Sequence, residues 1–294
     1  MSLKSLPNPS SSKPPNIRLT ARDVKILGSI LAYDGMMSLA QIDRLYFSGQ
    51  GRTQPRCRMR LLCAHGYAQQ THETTKHQVP WGETIYWLGS KGAALLAGMQ
   101  GQSLKQFQWR KQPRYSQIAH DLAVNNFRLD IAEAVASNPS LNLREWQPES
   151  EFLAQPDVVT ITLPNGRTKK RQVRPDGFFI IEQTGHSSPY AFLLEIDMGS
   201  EDNPRFGREK VLPGLAYLKS AAYHKRFGLR YGRFLIVTTG ERRLQNMKAQ
   251  AERLGGGGLF YFTTFDQISP STIIGQPIWQ LAGETALRPI VPVA

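Results

Sequence analysis

Apolar positions along this chain first recur with a helical period, and past its middle with a period of two. The opening, MSLKSLPNPSSSKPPN, offers a core nothing, and residues 1–18 read as a tail. In ARDVKILGSILAY, Val24, Leu27, Ile30 and Leu31 recur at helical spacing behind Thr20, a hydroxyl residue suited to capping. Asp34-Gly35 breaks that helix, and Met36 and Met37 form a short extended link. Ser38 then caps LAQIDRLYF, where Leu39, Ile42, Leu45 and Tyr46 share a face. After a turn over Ser48 to Gly51, RTQPRCRMRLLCAHG predicts a third helix, with Thr53 as its cap, Pro55 near its start and Gly66 at its end. YAQQTHE and ETIYWLG predict two strands around a polar loop with Pro80 and Gly82, and SKGAALLAGM a closing helix.

Three helices, a hairpin and a short helix in this order are the plan of a winged helix-turn-helix, placed at residues 19–99. Residues 100–115 are basic and polar, with Phe107, Trp109 and Tyr115 interleaved. They read as a linker, although such a mixture also suits a phosphate backbone or unpaired bases. Residues 116–294 form the second region. IAHDLAVNNFRLDIAEAVASN predicts a long helix buried over much of its surface. Strands follow in LREWQPESEF, RPDGFFIIEQ and PYAFLLEIDMG, with a charged loop around Arg167 to Arg171 and a hairpin turn over Thr184 to Ser188. A helical segment around LPGLAYLKSAAYHKRFG leads to RFLIVTT, apolar enough for a central strand, then to the helix ERRLQNMKAQAERLG and the strand LFYFTT. The resulting fold class is mixed α/β: a winged helix followed by an α-β-β-β-α-β domain around a mixed sheet.

Charge narrows the partner. A formal net charge of +13 and a pI near 9.9 favour a polyanion, with double-stranded DNA the first candidate. On the third helix Arg52, Arg56 and Arg60 lie four apart, so each advances about 40° and together they make one stripe. Arg58 joins them as a further candidate DNA contact, and a solvated helix face is the plain alternative. Cys57 and Cys63 fall in that one helix, which argues against a disulfide framework or a zinc knuckle and suggests core fillers. No apolar run reaches the roughly 18 residues of a membrane span, so a cytoplasmic protein without a membrane partner is expected.

Candidate chemistry gathers on the second region's strands. Asp176 follows Pro175, while Glu195 and Asp197 stand two apart in LLEID and project from one face of a strand. Three carboxylates on adjacent strands suit magnesium or manganese, which take hard oxygen ligands and leave room for phosphate. Read structurally, Asp176 belongs to a turn, and Glu195 and Asp197 pair with cations such as Arg174 or Lys210. His120, near the start of the long helix, either serves its own fold or positions phosphate and moves a proton. Motifs for nucleotide phosphate binding, zinc hydrolysis and the serine-hydrolase elbow are missing from the sequence.

Pro175-Asp176 followed by Glu195-Ile196-Asp197, in an α-β-β-β-α-β order, resembles the PD-(D/E)XK restriction-endonuclease-like superfamily. That resemblance implies metal binding by Asp176 and Glu195, with Asp197 standing where the motif lysine belongs and Lys210 as a migrated replacement. A wider set of segments, LTARDVKILGSIL, the arginine-rich helix, IYWLGSKGAALLAG, His120-Asp121-Leu122, RPDGFF, FLLEIDMGSE, Lys210 with Tyr217, and LIVTTGERR, is similar to the replication-relaxation family over about residues 19 to 280. The likeness implies a DNA-binding protein acting in replication or transfer of a plasmid or mobile element, with replication or mobilisation proteins as partners and a homodimer as a further expectation. In that family Glu-Ile-Asp is the usual form, which fits a shifted lysine or a nuclease fold kept for binding. Two alternatives stay open: a metal-dependent nuclease or nickase using Asp176, Glu195, Asp197 and Lys210, and a transcriptional regulator with a sensing C-terminal domain.

Overall fold

The computed structural model describes residues 16–47, 51, 53–71, 82–163, 165–199 and 202–292. The chain divides into two compact units, Met1–Tyr115 and Ser116–Ala294. Among the described residues no helix is long and apolar enough to cross a membrane.

In the first unit, α1 (Ala21–Ala32) starts at Thr20 because a capping box closes there. The Thr20 hydroxyl accepts from the Asp23 N–H at 3.3 Å, and the Asp23 carboxylate accepts from the Thr20 N–H at 2.6 Å. The helix buries Ile26, Leu27 and Ile30. Asp34 and Gly35 then take φ of 54° and 85°, a left-handed pair that turns the chain into β1 (Met36–Ser38). Ser38 and Gln41 close a second capping box for α2 (Leu39–Tyr46). Next come α3 (Thr53–Ala64), β2 (Ala68–Gln70), β3 (Ile85–Leu88) and α4 (Ser90–Met99). The expected link at Met36 and Met37 is a strand, since β1 pairs antiparallel with β3 and completes a sheet ordered β1-β3-β2. Element order and pairing follow the plan expected of a winged helix. The tip of the expected hairpin, with Pro80, and most of the Ser48 to Gly51 turn lie outside the described residues.

Residues 100–115, expected as a linker, cluster with the first unit. Phe107 and Pro113 are buried, and a methyl group on Gly35 would stand 2.8 Å from Cβ of Arg110, so this stretch contributes packing. The cysteines also differ from expectation. Cys57 is exposed, because it lies on the side of α3 away from Met59 and Leu62, and only Cys63 is partly buried, its thiol pushed up to about 12 by burial.

In the second unit, α5 (Ile118–Ala136) is buried along much of its length, including Ile118, Leu122, Phe127 and Ile131. The chain continues through β4 (Leu141–Pro148), α6 (Glu149–Ala154), β5 (Asp157–Thr162), β6 (Thr168–Val173), β7 (Gly177–Gln183) and β8 (Tyr190–Ile196). A helical stretch follows, made of α7 (Asn203–Phe206), a π-helical turn at Gly207–Val211 and α8 (Leu212–Leu218), with Pro213 in the first turn of α8. After it come α9 (Ala221–Phe227), β9 (Arg233–Thr238), α10 (Glu241–Arg253), β10 (Phe260–Thr264), β11 (Trp279–Leu281) and β12 (Leu287–Arg288).

Seven strands form a mixed sheet ordered β12-β11-β10-β9-β8-β7-β4. RFLIVTT supplies β9, fourth of the seven and parallel to both neighbours, as its apolar character requires. Alternation along the strands makes two cores. Phe178, Ile180, Leu193, Phe234 and Ile236 face the helices from α8 to α10, whereas Phe179, Ile181, Phe192, Leu194 and Leu235 face α5 and the final segment. The succession α5, β4, β7, β8, α7 to α8, β9 is the expected α-β-β-β-α-β order. One expectation fails: Lys169 to Arg171 belong not to a loop but to β6, which pairs antiparallel with β5 in a separate two-stranded ribbon. The signal was present in β5, where Val159 and Ile161 alternate inward, but the charges of β6 masked it.

Candidate active site

Asp176 immediately precedes β7, and Glu195 is the penultimate residue of β8. The antiparallel register pairs Gly177 with Leu194, so both carboxylates come to the same end of the sheet. Backbone bonds fix Asp176 there: its N–H donates to the Leu194 carbonyl at 2.9 Å, and its carboxylate accepts from the Ile196 N–H at 2.6 Å. Gly177 follows because Trp146 crosses this strand end. A Cβ at Gly177 would lie 2.9 Å from the Trp146 ring, which stacks on Phe179 with centroids 5.3 Å apart.

Two cations reach these acids from opposite faces of the sheet. From α5, His120 Nε2 lies 3.1 Å from Asp176 Oδ2, and its Nδ1 lies 3.4 Å from Asp121. From the π-helical turn, Lys210 Nζ lies 2.5 Å from Glu195 Oε2 and 3.5 Å from the Arg174 carbonyl. A π turn fits an extra residue into the helix, and here that turn carries the lysine. Asp176 and Glu195 are only 6% and 7% exposed, while the Lys210 side chain keeps 33% of its surface.

The charges follow from burial and neighbours. Burial opposes an imidazolium, but Asp176 and Asp121 outweigh it and lift His120 to about 10, so it is charged at neutral pH. Burial would raise Asp176, yet His120 and then Lys210 hold it below the usual carboxylate value. Burial pushes Glu195 up to about 8, helped by Asp176 and opposed by Lys210. The short Lys210 contact and that raised value pull in opposite directions. Glu195 therefore takes up a proton more readily than a surface carboxylate, and its charge depends on the cation held beside it.

The expected third carboxylate is elsewhere. Asp197 lies one residue past β8, its N–H donating to the Val237 carbonyl at 2.8 Å. Its carboxylate is gripped by both arms of Arg243, one at 2.6 Å, and accepts from the Thr238 hydroxyl at 2.5 Å. The strand alternation that put Glu195 and Asp197 together ends with the strand, and a guanidinium claims the second acid. Arg243 and Thr238 were not singled out by the residue pattern, although both stand in or beside the LIVTTGERR segment.

On α3 the arginines also divide. Arg56 and Arg60 are exposed, as a contact helix requires, and Arg52 lies outside the described residues. Arg58 turns inward: its Nε donates to Asp23 at 2.6 Å and its Nη2 to the Arg18 carbonyl at 2.9 Å, so it braces α3 on α1. Its place two residues from Arg56 and Arg60 carries it off their stripe.

These features define a mixed-sheet α/β protein with a buried acid–lysine and acid–histidine cluster at the strand ends, preceded by a unit of four helices and a three-stranded sheet among the described residues. The replication-relaxation family matches residues 29–212, well over half of the chain, and the chain belongs to that family. The match takes in Asp176, Glu195, Asp197 and Lys210, and stops short of Arg243. It is narrower than the 19 to 280 of the sequence likeness. No curated protein sequence matches the chain. Among solved structures, restriction endonuclease FokI bound to DNA is similar at 13% identity and a TM-score of 0.22, covering 83% of this chain. This chain spans 42% of that one.

Proposed function

We propose that this protein binds double-stranded DNA in the replication or transfer of a mobile element, and that its second unit is a divalent-cation-dependent phosphodiesterase centre that nicks or cuts DNA. The observation that carries the catalytic reading is the Lys210 ammonium 2.5 Å from Glu195, beside buried Asp176. It supplies from the π turn the cation that Asp197 displaces from the strand.

The donor set fits magnesium or manganese held by Asp176 and Glu195. These ions take one or two carboxylates and complete their shell with water and substrate phosphate. Among the described residues no group of three His, Cys, Asp or Glu could hold a metal ion, so an ion here would rest on these two carboxylates and take its remaining ligands from water and phosphate. When bound, the cation would polarise a phosphodiester and stabilise its developing charge. Lys210 would balance the extra negative charge beside Glu195 and meet a phosphate oxygen. His120, charged and against Asp176, would hold that carboxylate in place. The DNA-binding reading rests on the net charge of +13 and on exposed Arg56 and Arg60. Asp197, paired to Arg243, has no part in this reading as a metal ligand.

The test is conversion of supercoiled plasmid to nicked or linear form with magnesium or manganese, comparing native protein with Asp176→Asn and Glu195→Gln while duplex binding is followed by anisotropy. Cleavage by the native chain, lowered on the order of a hundredfold or more in each variant with binding retained, is expected. Cleavage that persists in both variants would remove this site. A second reading, a binding protein that keeps the nuclease fold, is favoured by one observation: one oxygen of Asp176 already serves both His120 and the Ile196 N–H. Duplex binding without cleavage under any metal would support it.

A further inference from the structure

We infer that the ribbon of β5 and β6 is a second DNA-contacting element, one that lays a duplex backbone against the Asp176–Glu195 end of the sheet. The inference rests on the proposed DNA binding and adds a surface apart from α3.

The charge of the ribbon is one-sided. Residues 157–174 carry Arg167, Lys169, Lys170, Arg171 and Arg174 against the single acid Asp157. That acid is neutralised at the root of the ribbon, where Arg226 Nε donates to it at 2.6 Å and the Tyr217 hydroxyl at 2.5 Å. Arg167, Lys169, Lys170 and Arg174 are exposed, and none of them meets an acid among the described residues.

An isolated two-stranded ribbon is marginal in water, and this one is held from below. Val159, Ile161 and Val173 turn inward to the core that includes Tyr217 and Leu218 of α8, and the Asp157 pairs clamp the first residue of β5. Its other face pairs Thr160 with Lys170 and Thr162 with Thr168 across the strands. On this face the Lys170 ammonium stands between Thr168 and exposed Gln172, opposite Thr160, a set that suits phosphate oxygens, while Lys169, the cross-strand partner of Ile161, is exposed at the border of the other face. Among the described residues Val158 is the one exposed large apolar side chain of the ribbon, and a lone valine without an aromatic neighbour is a poor anchor for a protein partner. Six residues of strand extend about 20 Å, enough to follow several phosphates.

The position of the ribbon ties it to the site. Val173 ends β6, and the chain passes through exposed Arg174 and buried Pro175 directly into Asp176. The Arg174 carbonyl is itself 3.5 Å from Lys210 Nζ. A backbone followed by the ribbon is thereby led to the two carboxylates.

The experiment uses the full chain and a duplex of roughly 25 to 30 base pairs, about the length of a specific site, with anisotropy titrations over a range of salt. Arg167→Ser/Lys169→Ser/Lys170→Ser is compared with a charge-matched control, Lys225→Ser/Arg230→Ser/Arg253→Ser. The ribbon variant should bind roughly tenfold or more weakly at moderate salt, and its log–log salt slope should shrink by about 2 to 3, while the control changes little. These side chains are exposed, so circular dichroism and the unfolding midpoint should match the native chain. Equal losses in both variants would reduce the effect to net charge and overturn the inference. An unchanged ribbon variant would overturn it alone, leaving α3 as the contact. No duplex binding by the native chain would overturn the DNA reading and this inference together.

Discussion

Two buried acid–base pairs, one in each unit, are built to opposite standards. Asp23 is saturated. It accepts from the Thr20 N–H at 2.6 Å, from the Thr20 hydroxyl at 2.8 Å and from both arms of Arg58. A rigid guanidinium fork also reaches the Arg18 carbonyl, so the pair fixes α1, α3 and the chain entering α1 at once. Glu195 meets a single flexible ammonium through one oxygen. Burial works to raise both acids, but the donors around Asp23 win and hold its pKa below the ordinary value, while those around Glu195 lose and it rises to about 8. A saturated pair locks a fold. An under-satisfied one can exchange its partner for a substrate or an ion, and the contrast teaches where in this protein chemistry is available.

The largest effect should come from the lock. Arg58→Ala leaves a buried carboxylate without its main partner and should cost about 3–5 kcal/mol, read as earlier unfolding of the first unit in urea. Arg58→Lys should recover only part of this, because an ammonium cannot reproduce the fork. A loss below about 1 kcal/mol would put Asp23 in the same class as Glu195. Next in size is Arg243→Ala, which strips Asp197 of its guanidinium but leaves the Thr238 hydroxyl; about 1–3 kcal/mol should be lost in the second unit. If metal binding instead rose sharply in this variant, Asp197 would be a restrained ligand after all.

How much of this was legible depends on whether the signal was local. The capping residues Thr20 and Ser38, the break at Asp34-Gly35 and the central strand RFLIVTT are written in short windows, and the structure follows them. Asp176, Glu195 and Lys210 were found from motif order, and the structure brings them to one sheet end. What failed required three-dimensional pairing. Asp197 looks equivalent to Glu195 until β8 ends and Arg243 arrives from 46 residues away. Arg58 looks equivalent to Arg56 until Asp23 is seen 35 residues upstream. The ribbon was hidden because exposed Lys and Arg depress the usual strand pattern, and only register with Val159 and Ile161 gives β6 its place.

A smaller effect should follow from Lys210→Met. In a finished lock, removing the cation strands a charge; here Glu195 already binds a proton readily and can become neutral, so stability at pH 7 should fall by about 1 kcal/mol or less. Calorimetric binding of manganese should nonetheless change, since a cation has left the site. A stability loss comparable to that of Arg58→Ala would show Glu195 to be as firmly ionised as Asp23.

The effect that separates the two pairs by sign is the pH dependence of stability. Asp23 has a depressed folded pKa, so its contribution is full above the unfolded value near pH 4 and is lost as pH falls through the folded value. Glu195 is shifted the other way. Between pH 4.5 and about 8 the folded chain holds a proton that the unfolded chain has released, so stability falls as pH rises through that window. Arg58→Ala should therefore reduce the acid limb below pH 4, to which depressed Asp176 also contributes, and leave the neutral range unchanged. Glu195→Gln should flatten the slope from pH 4.5 to 6.5 and reduce it from there to 8, where the raised His120 keeps its own share, and leave the acid limb largely as it was. Urea midpoints taken from pH 3 to 8.5 with chelator present, so that no divalent ion competes with the proton, would show both. If Glu195→Gln left the neutral slope untouched, Glu195 would be ionised throughout that range by Lys210. The second unit would then carry a lock of the same kind as the first, and an exchangeable cation at this sheet end would have no electrostatic basis.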